Sequence, residues 1–270
     1  MSLPAFLQRL SVEPAILVAV RAVRGSAPRE VGAWMAVFPD DQFGTVGGGQ
    51  LEWSALAQAR SHLATASGSA DAVRQWCRSV ALGPGLGQCC GGHMELHFEQ
   101  VEARDVPRLR QQLSVNLRPL ALFGGGHVGQ AIVQALLPLP FDLTWIDSRD
   151  QIFPVALVDA VRCEHSEPVH RAVDALAPGS LVMVMSFSHA EDLDIVMRCL
   201  ERQRRQGDLP FVGLIGSRTK WAVFRRRLAE RGFSSDEIDH ITCPIGLPGI
   251  GGKQPAVIAA SVAAQLLMVP

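Results

Sequence analysis

Leu120-Ala121-Leu122-Phe123-Gly124-Gly125-Gly126-His127-Val128-Gly129 sets an apolar run directly against a G-x-G-x-x-G turn, and the helix-forming residues Gln130 to Leu137 follow. Strand, glycine turn and helix in that order form a dinucleotide-type phosphate cradle, because the turn brings backbone N–H groups and a helix N-terminus up to an anion. Gly124, Gly126 and Gly129 are the glycines of the motif, and Asp147 ends the next apolar run 18 positions after Gly129. At that place a carboxylate can accept from ribose hydroxyls and would repel a 2′-phosphate. The motif is strong for the fold. It leaves the ligand open between a dinucleotide, something else and nothing, since a fold does not determine what it binds.

Downstream of the cradle the pattern alternates. Strands are expected at Leu143 to Ile146, Ala160 to Cys163, Leu181 to Met185 and Phe211 to Ile215, with helices from Pro168, after Met185, at Lys220 to Arg231 and at Pro255 to Met268. Such alternation predicts a parallel, doubly wound sheet. Upstream, Ala15 to Ala22 and Ala33 to Phe38 read as strands joined by a Gly-Ser-Ala-Pro loop, and Met94, Leu96 and Phe98 alternate with His93, Glu95, His97 and Glu99 as a half-buried strand. Leu51, Ala55, Leu56, Ala59 and Leu63 recur at helical spacing behind Gly47-Gly48-Gly49. The expected fold is therefore α/β: an N-terminal α/β domain over residues 1–100, a connecting segment 101–117, and a Rossmann-like doubly wound domain over 118–270.

The 270 residues are 48% apolar and carry 25 basic against 26 acidic side chains. No global positive field is present to attract nucleic acid or an anionic membrane, so partners should be found by local pockets. Ala256 to Pro270, the longest apolar stretch, is shorter than the roughly 20 residues of a membrane span and contains Ser261 and Gln265. The N-terminus has no basic n-region, and Arg9 and Glu13 interrupt any apolar core of a signal peptide. A cytoplasmic protein is expected, with its six cysteines reduced.

Several further segments could carry chemistry. Cys89-Cys90 lies within Gly87-Gln88-Cys89-Cys90-Gly91-Gly92, where flanking glycines leave both sulfurs approachable and backbone N–H groups free; a thiolate there could serve as nucleophile or metal ligand. Two small buried hydrophobes at a turn are the plainer reading. Zinc fits poorly: no second C-x-x-C pair exists, and on a strand His93 and His97 would stand roughly 13 Å apart. Arg29 in Gly25-Ser26-Ala27-Pro28-Arg29, and Gly47, Gly48 and Gly49, could hold a phosphate-bearing ligand, although Glu52 is more simply a first-turn carboxylate favoured by the helix dipole. Gly216-Ser217-Arg218-Thr219-Lys220 and Ser186-Phe187-Ser188-His189 follow strands and so lie at the carboxyl edge of the sheet. Gly249 to Lys253 looks like a P-loop but lacks its first glycine and its Ser/Thr, leaving Lys253 in a possible anion nest before the last helix.

Taken together, Gly25 to Arg29, Gly47 to Glu52, Leu86 to Gly92, Phe123 to Gly129, Val212 to Lys220 and Cys243 to Lys253 resemble the xanthine dehydrogenase accessory protein family (XdhC/CoxI) over nearly the whole chain. The sequence departs from that pattern at Ser188-His189-Ala190-Glu191-Asp192, where such proteins more often read T-H-D. The resemblance implies a chaperone, not a turnover enzyme. It would bind molybdenum cofactor (molybdopterin), present it to a cysteine desulfurase for sulfuration, and deliver it to apo xanthine dehydrogenase or a related molybdenum hydroxylase. On that reading Cys89 or Cys90 contacts molybdenum or carries sulfur. Arg29, Gly47 to Gly49, Gly91, Gly92, Gly124, Gly126, Gly129, Asp147, Gly216, Ser217, Arg218 and Lys253 would line the cofactor site. The rivals are a NAD-dependent oxidoreductase and a nucleotide-sensing Rossmann module. The apolar C-terminal helix is the sole argument for a homodimer.

Overall fold

The computed structural model describes residues 3–66, 74–83, 91–114 and 117–270, and divides into two compact units, Met1–Leu113 and Ser114–Pro270. In the first unit α1 (Leu3–Leu10) precedes β1 (Ala15–Arg24), β2 (Trp34–Val37), β3 (Gln42–Gly44), α2 (Gly49–Ala66), β4 (Gln75–Ala81), β5 (His93–Val101) and α3 (Val106–Ser114). The strands form one antiparallel sheet in the order β3-β2-β1-β5-β4.

Alternation along β1 builds two cores. Ile16, Val18 and Val20 pack with Leu51, Ala55, Ala59 and Leu63 of α2, while Ala15 and Leu17 pack with Phe6, Leu7 and Leu10 of α1. The polar stretch after β5 supplies α3, whose Leu109 is buried in that second core with Val106 and Leu113 against it. Helix α1 lies outside the elements expected above, although Leu3, Phe6, Leu7 and Leu10 recur at i, i+3, i+4 and i+7 and form its buried face.

The second unit runs β6 (Arg118–Phe123), α4 (His127–Leu136), β7 (Phe141–Asp147), α5 (Val155–Val158), β8 (Arg162–His165), β9 (Leu181–Val184), α6 (His189–Gln206), β10 (Phe211–Leu214), α7 (Arg218–Glu230), α8 (Ser235–Ile238), β11 (Ile241–Thr242) and α9 (Pro255–Met268). All pairings are parallel, in the order β11-β10-β9-β6-β7-β8. Counted within the unit this is 3-2-1-4-5-6 from the β8 edge, the doubly wound Rossmann order, and the reversal point lies between β6 and β9.

Strands buried on both faces read as continuous apolar runs. Ala121 and Phe123 of β6 face the core shared with α6, α7 and α8, whereas Leu120 and Leu122 face the one shared with α4 and α9. Two expectations shift: the weak strand lies at Arg162–His165 instead of Ala160 to Cys163, and the segment after Pro168 is a 3-10 helix, Val169–Ala175. The two-residue β11, paired with β10 through Val212 and Ile241, is too short to be seen in sequence. Ala259, Val262, Ala263 and Leu266 of α9 are buried in their own unit beside α4, so the sequence argument for a homodimer falls. Among the described residues no helix is long and apolar enough to cross a membrane.

Candidate functional site

The candidate residues gather at two places, one in each unit. In the second unit the carboxyl edge of the sheet carries the glycine turn. Gly124 has φ +129°, and a Cβ added there would lie 2.0 Å from the Met185 carbonyl oxygen; one added at Gly129 would lie 2.0 Å from the Gly124 oxygen. These two glycines are required by backbone packing. Gly126 is exposed with nothing within 4 Å of its added Cβ, and as N-cap of α4 it provides no side-chain cap. The open N–H groups of that helix therefore face the crevice beside the reversal point.

Asp147 does not present a free carboxylate to that crevice. It is 2% exposed; one oxygen accepts from the Gly125 N–H (2.5 Å) and Arg149 Nη2 (2.9 Å), the other from the Arg149 N–H (2.8 Å) and Nε (2.9 Å). Burial pushes its pKa up, but the Arg149 guanidinium and the two backbone N–H groups outweigh burial and hold it below the usual carboxylate range. The residue anticipated as a ribose acceptor is thus a brace for the glycine turn. Arg149 in turn lies 4.7 Å over the ring of Phe187, which is 66% exposed.

Next along the edge, Asp192 accepts from the Ser186 N–H and hydroxyl, each at 2.8 Å, and from Lys220 Nζ at 2.5 Å. Lys220 also donates to the Ile215 carbonyl at 2.8 Å. This buried ion pair, 3% and 10% exposed, ties the loops after β9 and β10 together. Both residues lie in segments the sequence singles out, Gly216 to Lys220 and Ser188 to Asp192, but their pairing across 28 positions has no local signature. Gly216 sits against Lys220, with the Cys243 sulfur 3.4 Å from its added Cβ, and Ser217 caps α7 by accepting from the Lys220 N–H at 3.1 Å. Arg218 and Lys253 are exposed, and among the described residues neither is ion-paired. Burial pushes the Cys243 thiol up to about 11, with Lys220 opposing and Asp192 adding to the shift.

In the first unit three separate glycine segments come together. A Cβ on Gly92 would lie 2.2 Å from the Ser26 oxygen, and one on Gly47 would lie 2.5 Å from the Pro28 ring. The loop Gly25 to Arg29 therefore touches both the Gly47 turn and the Gly91-Gly92 exit of the thiol segment. Cys89 and Cys90 themselves lie outside the described residues.

Gly47, Gly48 and Gly49 all have positive φ (130°, 70° and 60°), the left-handed region that glycine alone enters freely. Their notch is filled from within. Glu52 accepts from the Val46 N–H (3.0 Å), the Gly48 N–H (3.2 Å) and the Thr45 hydroxyl, and the Gly47 N–H donates to Thr45 Oγ1 at 3.1 Å. Burial raises the Glu52 pKa, yet these bonds together bring it below the usual range. Arg29 is partly covered and paired with the exposed Glu30 at 3.1 Å, a contact a ligand could displace at little cost. Among the described residues no group of three or more His, Cys, Asp or Glu could hold a metal ion.

The family model described as the XdhC Rossmann domain matches residues 120–266, more than half of the chain. The chain belongs to the XdhC family. The model described as the XdhC and CoxI family matches residues 9–74 of this XdhC protein. The uncharacterized protein YqeB of Escherichia coli (strain K12) is 30% identical over 260 residues, covering 91% of this chain and 42% of YqeB, so the XdhC chain spans less than half of that relative. A crystal structure described as a xanthine dehydrogenase from Bacillus halodurans matches with a TM-score of 0.68 at 20% identity, over 100% of this chain and 96% of that one. That likeness shows the two-unit fold of the XdhC chain is shared from end to end.

Proposed function

We propose that this chain is an accessory factor for a xanthine-dehydrogenase-type molybdenum hydroxylase, not itself a turnover enzyme. It would hold the molybdenum cofactor, support its sulfuration with a cysteine desulfurase, and pass it to the apo-enzyme. Membership of the XdhC family supports the accessory role. One structural observation carries the cofactor reading: three glycine loops of the first unit meet where the Cys89-Cys90 segment re-enters the described chain at Gly91. Such a meeting lets backbone approach a ligand closely, and the thiols that follow in sequence are donors of the kind a thiophilic metal takes.

The residues fit the group in kind. Taken unit by unit, the open N-terminus of α4 at Gly126 in the second unit suits a phosphate, and in the first a thiolate from Cys89 or Cys90 would suit a thiophilic metal. When bound, the cofactor would supply the metal whose oxo ligand is exchanged for sulfido. Glu52 and Asp147 each stiffen the glycine turn of their own unit from behind.

The test is molybdenum and pterin analysis of the protein purified from a molybdate-fed host, alongside a Cys89→Ser/Cys90→Ser double variant, followed by transfer to apo-enzyme. Retention by the wild type and loss in the variant are expected. Equal retention by both would remove the thiols from the site. A nucleotide-binding module would bind dinucleotide and retain neither molybdenum nor pterin.

A further inference from the structure

The strand order of the second unit, its glycine turn and an acid at the end of β7 together imply a dinucleotide, whose adenosine ribose would rest on that acid. The chain's own atoms already hold that place. An ionised carboxylate has about four lone-pair positions, and Asp147 spends all of them: Oδ2 on the Gly125 N–H and Arg149 Nη2, Oδ1 on the Arg149 N–H and Nε. No acceptor is left for a ribose diol. Displacing the guanidinium would strand a charge in a buried site, which a pair of neutral hydroxyls does not offset.

Gly125 is closed from a second side. A Cβ added there would lie 2.8 Å from both Cγ1 and Cγ2 of Ile152 and 3.2 Å from Asp147 Oδ2, so the isoleucine rests on the glycine directly beside the carboxylate. An apolar branch thus covers the turn on the side from which the acid would be reached. Gln151, just before it, has φ 55°, and among the described residues it is the only non-glycine in the left-handed region. Strain of that kind persists where the surrounding structure imposes it, and here it accompanies the return of Ile152 onto the turn. The Gly125 carbonyl is engaged too, accepting from Gln130 Nε2 at 3.2 Å. Gly126, by contrast, has open space around it, so the edge keeps room for a phosphate while its ribose position is filled.

We infer that Arg149 and Ile152 are specificity-determining residues that exclude an adenine dinucleotide from this Rossmann edge. The exclusion concerns the second unit alone, holds whether or not the chain takes molybdenum cofactor, and is read by dinucleotide titration, not by metal retention. Full-length protein would be titrated calorimetrically with NAD+, NADH and NADP+ up to roughly 1 mM, alongside Arg149→Gln/Ile152→Ala, which frees the carboxylate and uncovers Gly125. Wild type should show no saturable binding, and the double variant should bind NAD+ with a Kd at least about tenfold below that ceiling. A folded double variant that still binds nothing would take the exclusion away from these two residues and overturn the inference. Should the variant fail to fold, amide hydrogen exchange of the wild type with and without NAD+ decides. Unchanged rates over residues 124–129 and 147–152 support the exclusion, and protection of those residues overturns it. Wild-type binding of NADP+ that weakens in Arg149→Gln would make Arg149 a ligand of the 2′-phosphate and overturn it as well.

Discussion

Replacing Asp147 by Asn separates a brace from a ligand contact. The carboxylate takes four hydrogen bonds at 2.5–2.9 Å from Gly125 and Arg149 while only 2% exposed. Asparagine keeps one acceptor and turns an NH2 toward the other pair of donors. Removing one partner of a buried ion pair costs about 3–5 kcal/mol. The Arg149 side chain is 32% exposed and can regain water, so we take about 2–4 kcal/mol. With a urea slope of about 2–3 kcal/mol/M for a unit of this size, the midpoint should fall by about 0.7–2 M. Urea unfolding by circular dichroism reads the shift, and hydrogen exchange over residues 118–150 localises it. A midpoint within about 0.2 M of wild type, together with lost dinucleotide binding, would refute the brace and restore Asp147 as a ribose acceptor. The pH dependence has a definite sign. A carboxylate with a depressed folded pKa contributes stability that is present above its unfolded pKa of about 3.9, and the contribution is lost as pH falls through the folded value.

Other consequences can be checked independently. Gly129→Ala should fail to accumulate as folded protein, because its methyl would meet the Gly124 oxygen, whereas Gly126→Ala should stay within about 0.5 kcal/mol of wild type in the same melts. Glu52→Gln should destabilise the first unit by about 1.5–3 kcal/mol in urea titrations, and the contribution should fade in acid for the same reason as that of Asp147. Lys220→Met should cost about 3–5 kcal/mol by leaving Asp192 buried and unpaired, with Asp192→Asn/Lys220→Met recovering part of it in a double-mutant cycle. Among the four described cysteines, exposed Cys77 should react first with a thiol reagent at pH 8, and mass spectrometry should find Cys199, pushed up to about 12 by burial, unlabelled until the protein unfolds.

Periodicity and punctuation in the chain were enough to specify most elements. The run into Gly124, the alternation of Met94, Leu96 and Phe98, the spacing of Leu193, Val196 and Leu200 and the extent of α9 each follow from local burial pattern, which neighbouring residues carry by themselves. Helix α6 shows the agreement in detail, with Ser188 as cap, Glu191 and Asp192 in its first turn, Arg204 and Arg205 in its last, and Gly207 in the left-handed conformation behind it.

The use made of each polar group was a different matter. Asp147 sits where a ribose acceptor would, and only the fold turns Arg149 back onto it. Glu52 reads as a first-turn carboxylate, as it is, but its filling of the glycine notch needed the coordinates of Thr45 and Gly48. The Asp192–Lys220 pair joins residues from different elements. Backbone conformation and burial are set by short-range spacing and so are written along the chain. Which donor meets which acceptor depends on how separate elements pack, and tertiary structure alone decides it.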